Sequence, residues 1–179
     1  TAISDGKWGL TPPPGRVISP PMPTLKIDGR EVTVDKNTNL LEACRKLDIY
    51  VPHFCYHPGL SVAAQCRLCL VEIAKNPKLQ PSCQITAGDN MEVITANDRV
   101  KEARRAMMEL HLINHPVDCP ICDKAGECTL QDYYMAYDMG DSRLEFRKVG
   151  KNKVVPIGPR VMYDGERCVM CSRCVRFTE

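Results

Sequence analysis

The sequence predicts an α+β fold in which a small sheet with one helix comes before a series of cysteine-rich loops. Two short apolar runs, residues 25–27 and 32–34, flank an Asp28-Gly29 pair, which predicts a β-hairpin. Residues 70–73 and 91–94 are further short apolar runs that predict strands. The order strand, strand, helix, cysteine loop, strand, strand predicts one domain over residues 24–97.

The first helix is predicted directly after Asn39. Glu42 follows three residues later, as in a capping box. Apolar side chains then recur at helical spacing, at Leu40, Leu41, Cys44 and Leu47.

A second helix is predicted over residues 98–114, with Asp98 as its N-cap. Its predicted apolar stripe consists of Val100, Ala103, Met107 and Leu110. His115-Pro116 ends it, because a residue before proline avoids the α region. A short helix is expected around residues 130–137, whereas residues 146–166 carry few periodic signals.

Charge and hydropathy exclude several classes of protein. The net charge is +2 without a long basic run, so no nucleic-acid partner is expected. No run of about 18 apolar residues occurs, so no direct membrane insertion is expected. Residues 1–23 contain six prolines and are expected to form an extended leader.

Cysteine is unusually frequent, at 11 of 179 residues. The odd count, the three separate regions of close spacing and the lack of a secretory signal at the start argue against a disulfide framework. Soft thiolates at short spacing select zinc or iron–sulfur clusters, so the spacing has to distinguish between these two.

The first group consists of Cys55, Cys66, Cys69 and Cys83, with the spacing C-x10-C-x2-C-x13-C. The plant-type two-iron pattern is C-x4-C-x2-C with a remote fourth cysteine. The first gap is longer here, but again one loop would provide three thiolates and a distant segment the fourth. Zinc ribbons usually place their ligands as two close pairs. One pair plus two isolated cysteines therefore favours the two-iron cluster over a four-cysteine zinc site.

The second group consists of His115, Cys119, Cys122 and Cys128, with the spacing H-x3-C-x2-C-x5-C. A four-iron cluster and a zinc site with the same ligands satisfy this spacing equally well, so both remain open here. His111 lies one helical turn before His115, and a metal site built on these two histidines is geometrically possible. It is less favoured because it would leave the cysteines without a metal.

The third group consists of Cys168, Cys171 and Cys174, with the spacing C-x2-C-x2-C. This is the start of the bacterial four-iron pattern, whose next cysteine would fall at Thr178. The fourth ligand is therefore not expected in this chain: either it lies beyond Glu179 or the cluster is incomplete. The remaining cysteine, Cys44, is expected to be a small buried hydrophobe.

The motifs around these cysteines resemble the N-terminal part of the large iron–sulfur subunit of NADH:quinone oxidoreductase, the respiratory complex I (the G subunit in bacteria). The resemblance covers residues 25–179. It rests on the segments 52–57 (PHFCYH), 66–72 (CRLCLVE), 114–123 (NHPVDCPICD), 126–132 (GECTLQD) and 167–177 (RCVMCSRCVRF).

The resemblance implies a ferredoxin-like β-grasp domain that binds one [2Fe–2S] cluster through the first group, followed by small, loop-rich α/β cluster-binding domains. It implies a [4Fe–4S] cluster bound by His115 and three cysteines within residues 98–145. It also implies the start of a further [4Fe–4S] domain at residues 146–179, with Cys168, Cys171 and Cys174 as three of its ligands. At the histidine group, the resemblance therefore favours iron over zinc.

The function that the resemblance implies is the relay of single electrons from a flavin-containing, NADH-oxidising partner subunit toward quinone. The chain would act as a subunit of a membrane-bound oxidoreductase complex. It would lie peripherally on the cytoplasmic face of the inner membrane, or on the matrix side in a mitochondrion. The sequence offers no nucleophile–base pair, carboxylate dyad or glycine-rich phosphate loop, so no bond-making chemistry is expected in this chain alone.

Related carriers occur in NAD-linked hydrogenases and formate dehydrogenases, and these are the alternative functions. Thr178 argues against a ferredoxin-type hydrogenase arrangement, and Arg176-Phe177 favours the respiratory subunit. A zinc-stabilised interaction module is the alternative of a different class.

The chain departs from the family pattern at two points. Family members commonly carry glycine two residues before the second cysteine of the first cluster, where this chain has Ala64, so a slightly rearranged loop is expected. The fourth cysteine of the third cluster and the large C-terminal domain of the family are also absent from these residues.

Overall fold

A computed structural model describes residues 22–179. The predicted leader therefore lies almost wholly outside the described residues. The elements in chain order are the strands β1 (Thr24–Ile27) and β2 (Arg30–Thr33), helix α1 (Leu40–Lys46), strands β3 (Leu70–Ile73), β4 (Gln80–Pro81) and β5 (Glu92–Ile94), helix α2 (Asp98–Leu112), a 3₁₀ turn (Cys119–Ile121), helix α3 (Thr129–Ala136), strands β6 (Val155–Pro156) and β7 (Met162–Tyr163), and helix α4 (Arg173–Phe177).

The predicted α+β fold is confirmed. The first five strands form one sheet in the order β2-β1-β5-β3-β4. β1 pairs antiparallel with β2 and parallel with β5, and β3 pairs antiparallel with both β5 and β4. Helix α1 covers this sheet, and their apolar side chains form a core that includes Leu25, Ile27, Val34, Leu40, Leu41, Val71 and Val93.

Local sequence signals explain the hairpin and the first helix. Asp28 and Gly29 both have positive φ, 48° and 78°, as the primed turn of a two-residue hairpin requires. Asn39 caps α1, because its Oδ1 accepts the backbone N–H of Glu42 at 2.9 Å. The capping box is only half formed, since the Glu42 carboxylate pairs with Arg45 at 2.8 Å.

Helix α2 begins as predicted but presents a different face to the core. Asn97 is its N-cap, not Asp98, because the Asn97 side chain accepts the N–H of Val100. The buried side chains are Val100, Arg104 and Met108, whereas Leu110, which belonged to the predicted stripe, is 58% exposed.

The cause of this rotation is Arg104. Its guanidinium donates to the Leu70 carbonyl on β3 at 2.7 Å. The aliphatic stem can therefore be buried while the charge is hydrogen-bonded. Ala103 and Met107 lie at the margin of the buried face.

Short elements and loops make up the second half of the chain. Helix α3 lies where a short helix was predicted. Strands β6 and β7, the short strand β4, the 3₁₀ turn and helix α4 have no counterpart among the predictions. A second apolar cluster joins this half to the first, and it contains Phe54, Cys55, Cys66, Leu68, Met108, Leu130, Tyr133 and Met139.

Tyr133 on α3 connects the second half of the chain to the first through hydrogen bonds and ring packing. Its hydroxyl accepts the backbone N–H of His53 at 3.0 Å and forms a hydrogen bond with the Tyr50 hydroxyl at 2.5 Å. Its ring lies 5.2 Å from that of Phe54, between ring centres. The side chain is only 4% exposed, so these hydrogen bonds are largely shielded from water.

We expect Tyr133→Phe to lower the free energy of unfolding by about 1–3 kcal/mol, because it leaves the shielded His53 N–H without its acceptor. The measurement is anaerobic urea unfolding of the cofactor-loaded protein, followed by circular dichroism. The matched control is Tyr137→Phe, whose hydroxyl makes no hydrogen bond within residues 22–179. Equal unfolding midpoints for the two variants would contradict the role of Tyr133.

Candidate functional site

The four cysteines of the first group converge in the interior. Their exposed fractions are 0% for Cys55, 3% for Cys66, 1% for Cys69 and 1% for Cys83. The Cys69 and Cys83 sulfurs lie 3.4 Å apart. The Cys55 thiol lies close enough to those of Cys66 and Cys83 to shift their pKa values and to have its own pKa shifted by them. Three segments of chain, the two loops before β3 and the end of β4, therefore bring four thiols into one set.

The four thiols of the first group differ in their pKa values. Hydrogen bonds from Cys66 and Cys83 lower the pKa of Cys55, while the same bonds raise the pKa values of Cys66 and Cys83. The hydrogen bond with Cys83 lowers the pKa of Cys69 to about 7. Neighbouring negative charges in a low-dielectric interior oppose one another, so four thiolates here require a compensating positive charge.

Backbone N–H groups surround these sulfurs. The amide of Phe54 donates to the Cys66 sulfur at 3.4 Å. The amides of Gln65 and Cys66 also lower the pKa of the Cys55 thiol. Hydrogen bonds of this kind stabilise a negatively charged sulfur and tune a bound metal.

Ala64 adopts the conformation for which the family pattern has glycine. Its φ is +49°, and Arg67, directly after Cys66, has φ +54°. L-residues with a Cβ atom rarely adopt this left-handed region. Ala64 therefore has a left-handed backbone conformation, which is strained for a residue with a Cβ atom.

The second group surrounds a cavity. His115, Cys119, Cys122 and Cys128 all line one cavity of about 290 Å³, together with Leu130 and other side chains. Cys119 begins the 3₁₀ turn and Cys128 precedes α3. Burial, followed by the positive charge of Lys148, lowers the pKa of His115. The imidazole is thus held in the neutral form that can bind a metal.

His111 does not face this cavity. Its Nε2 lies 3.1 Å from the carbonyl oxygen of Cys66, and its ring packs edge-on against Phe54 at 5.1 Å between ring centres. The structure therefore places His111 beside the first group, although His111 and His115 both line a separate cavity of about 410 Å³.

Charged side chains hold the histidine loop against the segment that follows it. Arg167 binds the Asp118 carboxylate with two hydrogen bonds, of 3.2 and 2.8 Å, and Lys153 bridges Asp118 and Glu166. The hydrogen bond with Arg167 lowers the pKa of Asp118 to about 2. Lys148 donates to the His115 carbonyl at 2.5 Å.

The third group lies on the segment from Cys168 to helix α4. Cys168 and Cys171 are half-buried and Cys174 is exposed. Cys168 lines a cavity of about 410 Å³ together with Cys66 and His115. Cys171 lines a separate cavity of about 270 Å³ together with Cys122, Cys128 and His115. The third group thus adjoins both other groups.

Two arginines that the sequence analysis did not single out as site residues connect the third group to the first. Arg176 donates to the carbonyls of Cys55 and Cys171, the latter at 3.2 Å, and Arg173 donates to the Tyr56 carbonyl at 2.6 Å. Gln65 donates to the Met170 carbonyl at 2.5 Å. The contacts with the Cys55, Tyr56 and Met170 carbonyls appear only in the three-dimensional structure, because more than 100 residues separate these partners in sequence.

The residues present fit iron–sulfur clusters. A two-iron cluster gives each iron two thiolates, and the first group offers paired, buried thiols with amide donors around them. The cavity between the four residues of the second group suits a cofactor larger than a single ion. Within residues 22–179, no three Cys, His, Asp or Glu side chains converge in a geometry that could hold one metal ion.

Cys44 shares a core cluster with Cys69 and Cys83 of the first group. It is fully buried on α1, in the core beneath the sheet. Burial raises the pKa of its thiol to about 12. The expectation of a small buried hydrophobe therefore agrees with its position.

Comparisons with known families match two parts of the chain. A family described as a 2Fe-2S iron-sulfur cluster binding domain matches residues 21–98. A family described as the NADH-ubiquinone oxidoreductase-G iron-sulfur binding region matches residues 104–143. These matches indicate domains that bind 2Fe-2S and 4Fe-4S clusters.

Curated relatives share nearly half of the residues. The G subunit of the NADH-quinone oxidoreductase of Streptomyces coelicolor is 45% identical over 99% of this chain. The NADH-ubiquinone oxidoreductase 75 kDa subunit of Reclinomonas americana is 45% identical over 87% of it. The chain spans about a fifth of the length of these relatives, 21% and 22% respectively.

A solved structure of a NAD⁺-reducing [NiFe]-hydrogenase in the H₂-reduced state has the same fold. It matches with a TM-score of 0.78 and 29% identity, over 86% of this chain and 64% of that one. Among the residues that the structure describes, no helix combines the length and apolar character needed to cross a membrane.

We expect Cys44→Ala and Cys83→Ala to differ in their content of bound iron and sulfide, although both remove a buried thiol from the same domain. Cys83→Ala should lose the iron and sulfide bound by the first group, whereas Cys44→Ala should retain both at the wild-type level. Anaerobic iron and sulfide analysis of the purified variants provides the measurement. Loss of iron from Cys44→Ala would show that the eleventh cysteine had been wrongly excluded.

Proposed function

The chain is homologous to the G subunit of NADH-quinone oxidoreductase, and from this premise we propose that it relays single electrons through three iron–sulfur sites. One observation carries the proposal above the others. Residues of all three cysteine groups belong to, or pack against, the same apolar cluster: Cys55 and Cys66 lie within it, and Cys128 and Cys171 pack against it. Electron transfer between clusters requires such short, packed separations.

We assign one [2Fe–2S] cluster to Cys55, Cys66, Cys69 and Cys83, and one [4Fe–4S] cluster to His115, Cys119, Cys122 and Cys128. Cys168, Cys171 and Cys174 would provide three ligands of a second [4Fe–4S] cluster. The assignment of the first group rests on its mutual sulfur contacts. The second rests on the shared cavity, and the third on its spacing.

An iron–sulfur cluster, when bound, accepts one electron and passes it on. The protein's part is to hold the ligands, exclude water and offer hydrogen bonds to sulfur. The burial of all four cysteines of the first group excludes water there. The Phe54 amide offers such a hydrogen bond to the Cys66 sulfur.

The charged contacts fix how the three groups lie relative to one another. Arg176 connects the backbone at Cys55 to that at Cys171, and Arg167 connects Asp118 to the segment that leads into Cys168. Each is a charge-assisted hydrogen bond, stronger than one between neutral groups. A relay depends on such fixed separations, and these arginines would maintain them.

As partners we propose a flavin-containing, NADH-oxidising subunit as the electron donor and further subunits of a membrane-bound complex on the side toward quinone. The named relatives are subunits of NADH-quinone oxidoreductases, which supports this choice. We propose a peripheral position at the membrane through these partners, on the cytoplasmic or the matrix side.

The alternative is the electron-transfer subunit of a NAD-linked hydrogenase, which the structural match to the NAD⁺-reducing [NiFe]-hydrogenase favours. The respiratory role has more support, because the respiratory relatives are 45% identical and the hydrogenase is 29% identical.

The experiment that tests the proposal is anaerobic iron, sulfide and zinc analysis together with low-temperature electron paramagnetic resonance of the dithionite-reduced protein. We expect one two-iron signal and at least one fast-relaxing four-iron signal. The number of four-iron signals shows whether the third site assembles in this chain. Stoichiometric zinc without a reducible signal would refute the electron relay and leave a structural metal domain.

A substitution tests the histidine ligand. We expect His115→Cys to lower the midpoint potential of one four-iron cluster alone, because an anionic thiolate would replace a neutral imidazole and disfavour the added electron. The measurement is a redox titration followed by electron paramagnetic resonance. His57→Cys is the control, since it adds a cysteine on an exposed loop. An unchanged potential in His115→Cys would contradict ligation by His115.

A further inference from the structure

Ser82 is a buried hydroxyl beside the first group. Its backbone is fixed on both sides: its N–H donates to the Cys69 carbonyl at 2.9 Å, and its carbonyl accepts the N–H of Leu41 at 3.1 Å. The residue is 0% exposed. It directly precedes Cys83, whose sulfur lies 3.4 Å from that of Cys69.

The Ser82 hydroxyl makes no hydrogen bond of regular geometry within the described residues. A buried hydroxyl without a partner is unfavourable, and native proteins contain few of them. The backbone places this orphaned hydroxyl between two proposed ligands, because Ser82 directly precedes Cys83 and its N–H binds the Cys69 carbonyl.

We propose that Ser82 donates its O–H to the Cys69 sulfur when this sulfur is an iron-bound thiolate, and so raises the midpoint potential of the two-iron cluster. Three observations carry the proposal: full burial, the lack of a regular partner, and a position against both Cys69 and Cys83. The proposal rests on the assignment of a [2Fe–2S] cluster to the first group. It adds a positioning residue that is not itself a ligand.

The direction of the effect follows from charge. Reduction adds one negative charge to the cluster, and part of it resides on the sulfurs. A hydrogen bond to sulfur therefore stabilises the reduced form more than the oxidised form. The surroundings of Ser82 strengthen the effect, because the interior has a lower effective dielectric than water.

Ser82 differs from the amide donors around the same sulfurs. The Phe54 amide donates to Cys66, and no side-chain substitution removes it. The Ser82 hydroxyl belongs instead to the segment that carries Cys83, whose backbone is bound to Cys69. It can be deleted by a single substitution that keeps the backbone hydrogen bonds with Cys69 and Leu41.

The test compares wild-type protein with Ser82→Ala in redox titrations of the two-iron signal. We expect the midpoint potential to fall in Ser82→Ala. At the potential where the wild type is half reduced, the ratio of reduced to oxidised cluster should fall several-fold. A tenfold fall corresponds to about 59 mV for a one-electron couple. Thr33→Ala is the control, because it removes a hydroxyl from exposed strand β2 of the same domain.

A spectroscopic measurement makes the test independent of stability. Electron–nuclear double resonance of the reduced cluster, assembled in H₂O or D₂O, should show an exchangeable proton that is missing from Ser82→Ala. If Ser82→Ala does not assemble the cluster, the isosteric pair Ser82→Thr and Ser82→Val is compared instead. We expect the threonine variant to have the higher midpoint potential of the two, and only this variant to show the exchangeable proton.

The outcomes distinguish the role of Ser82 from the assignment of the two-iron cluster. A two-iron signal with an unchanged potential and an unchanged proton spectrum in Ser82→Ala overturns the role of Ser82 and leaves the cluster assignment intact. Equal potentials for Ser82→Thr and Ser82→Val overturn it in the same way. If the wild type shows no two-iron signal at all, the cluster assignment fails, and the role of Ser82 fails with it.

Discussion

Burial of four thiols in contact with one another is the constraint on which the rest of the structure depends. Cys55, Cys66, Cys69 and Cys83 come from three segments, and each segment has to be held by the sheet or by α1 for the sulfurs to meet. Four negative charges in such an interior are unfavourable without positive charge and hydrogen bonds. The surrounding amides would provide the hydrogen bonds, and bound iron would provide the positive charge. A small sheet can therefore support four buried thiolates.

A second constraint acts between the cysteine groups. The loops that carry the second and third groups contain little regular structure, so their own backbone hydrogen bonds do not fix them. Side-chain contacts replace that support: Tyr133 binds the backbone at His53, Arg176 binds it at Cys55, and Arg167 binds Asp118. The apolar cluster shared by the three groups excludes water from their centre. The positions of the groups therefore depend on a few specific side chains.

Sequence predicted the elements whose signals are local. The Asp28-Gly29 hairpin, the Asn39 cap and helix α3 were predicted because turn, cap and periodicity are determined by neighbouring residues. The buried face of α2 was predicted only in part: Val100 is buried, but Leu110 is exposed, and Arg104 is buried and hydrogen-bonded to β3. Strands β6 and β7 are two residues each, too short for a periodic pattern. For the site, spacing predicted the three groups, but the arginine contacts and Ser82 depend on tertiary packing that spacing does not contain.

The three cysteine groups share one backbone feature. Left-handed residues other than glycine occur in each ligand loop: Ala64 and Arg67 beside Cys66, Val117 between His115 and Cys119, and Met170 and Ser172 between the third-group cysteines. For a β-branched residue such as Val117, φ of +53° is a clear outlier. Such strain persists only where the surroundings over-determine the conformation, and it concentrates at functional sites. Left-handed turns reverse the chain tightly and point successive amides inward, as an anion-binding loop requires. At Met170 the left-handed conformation accompanies a hydrogen bond to sulfur, because the Met170 amide donates to the Cys168 sulfur at 3.3 Å.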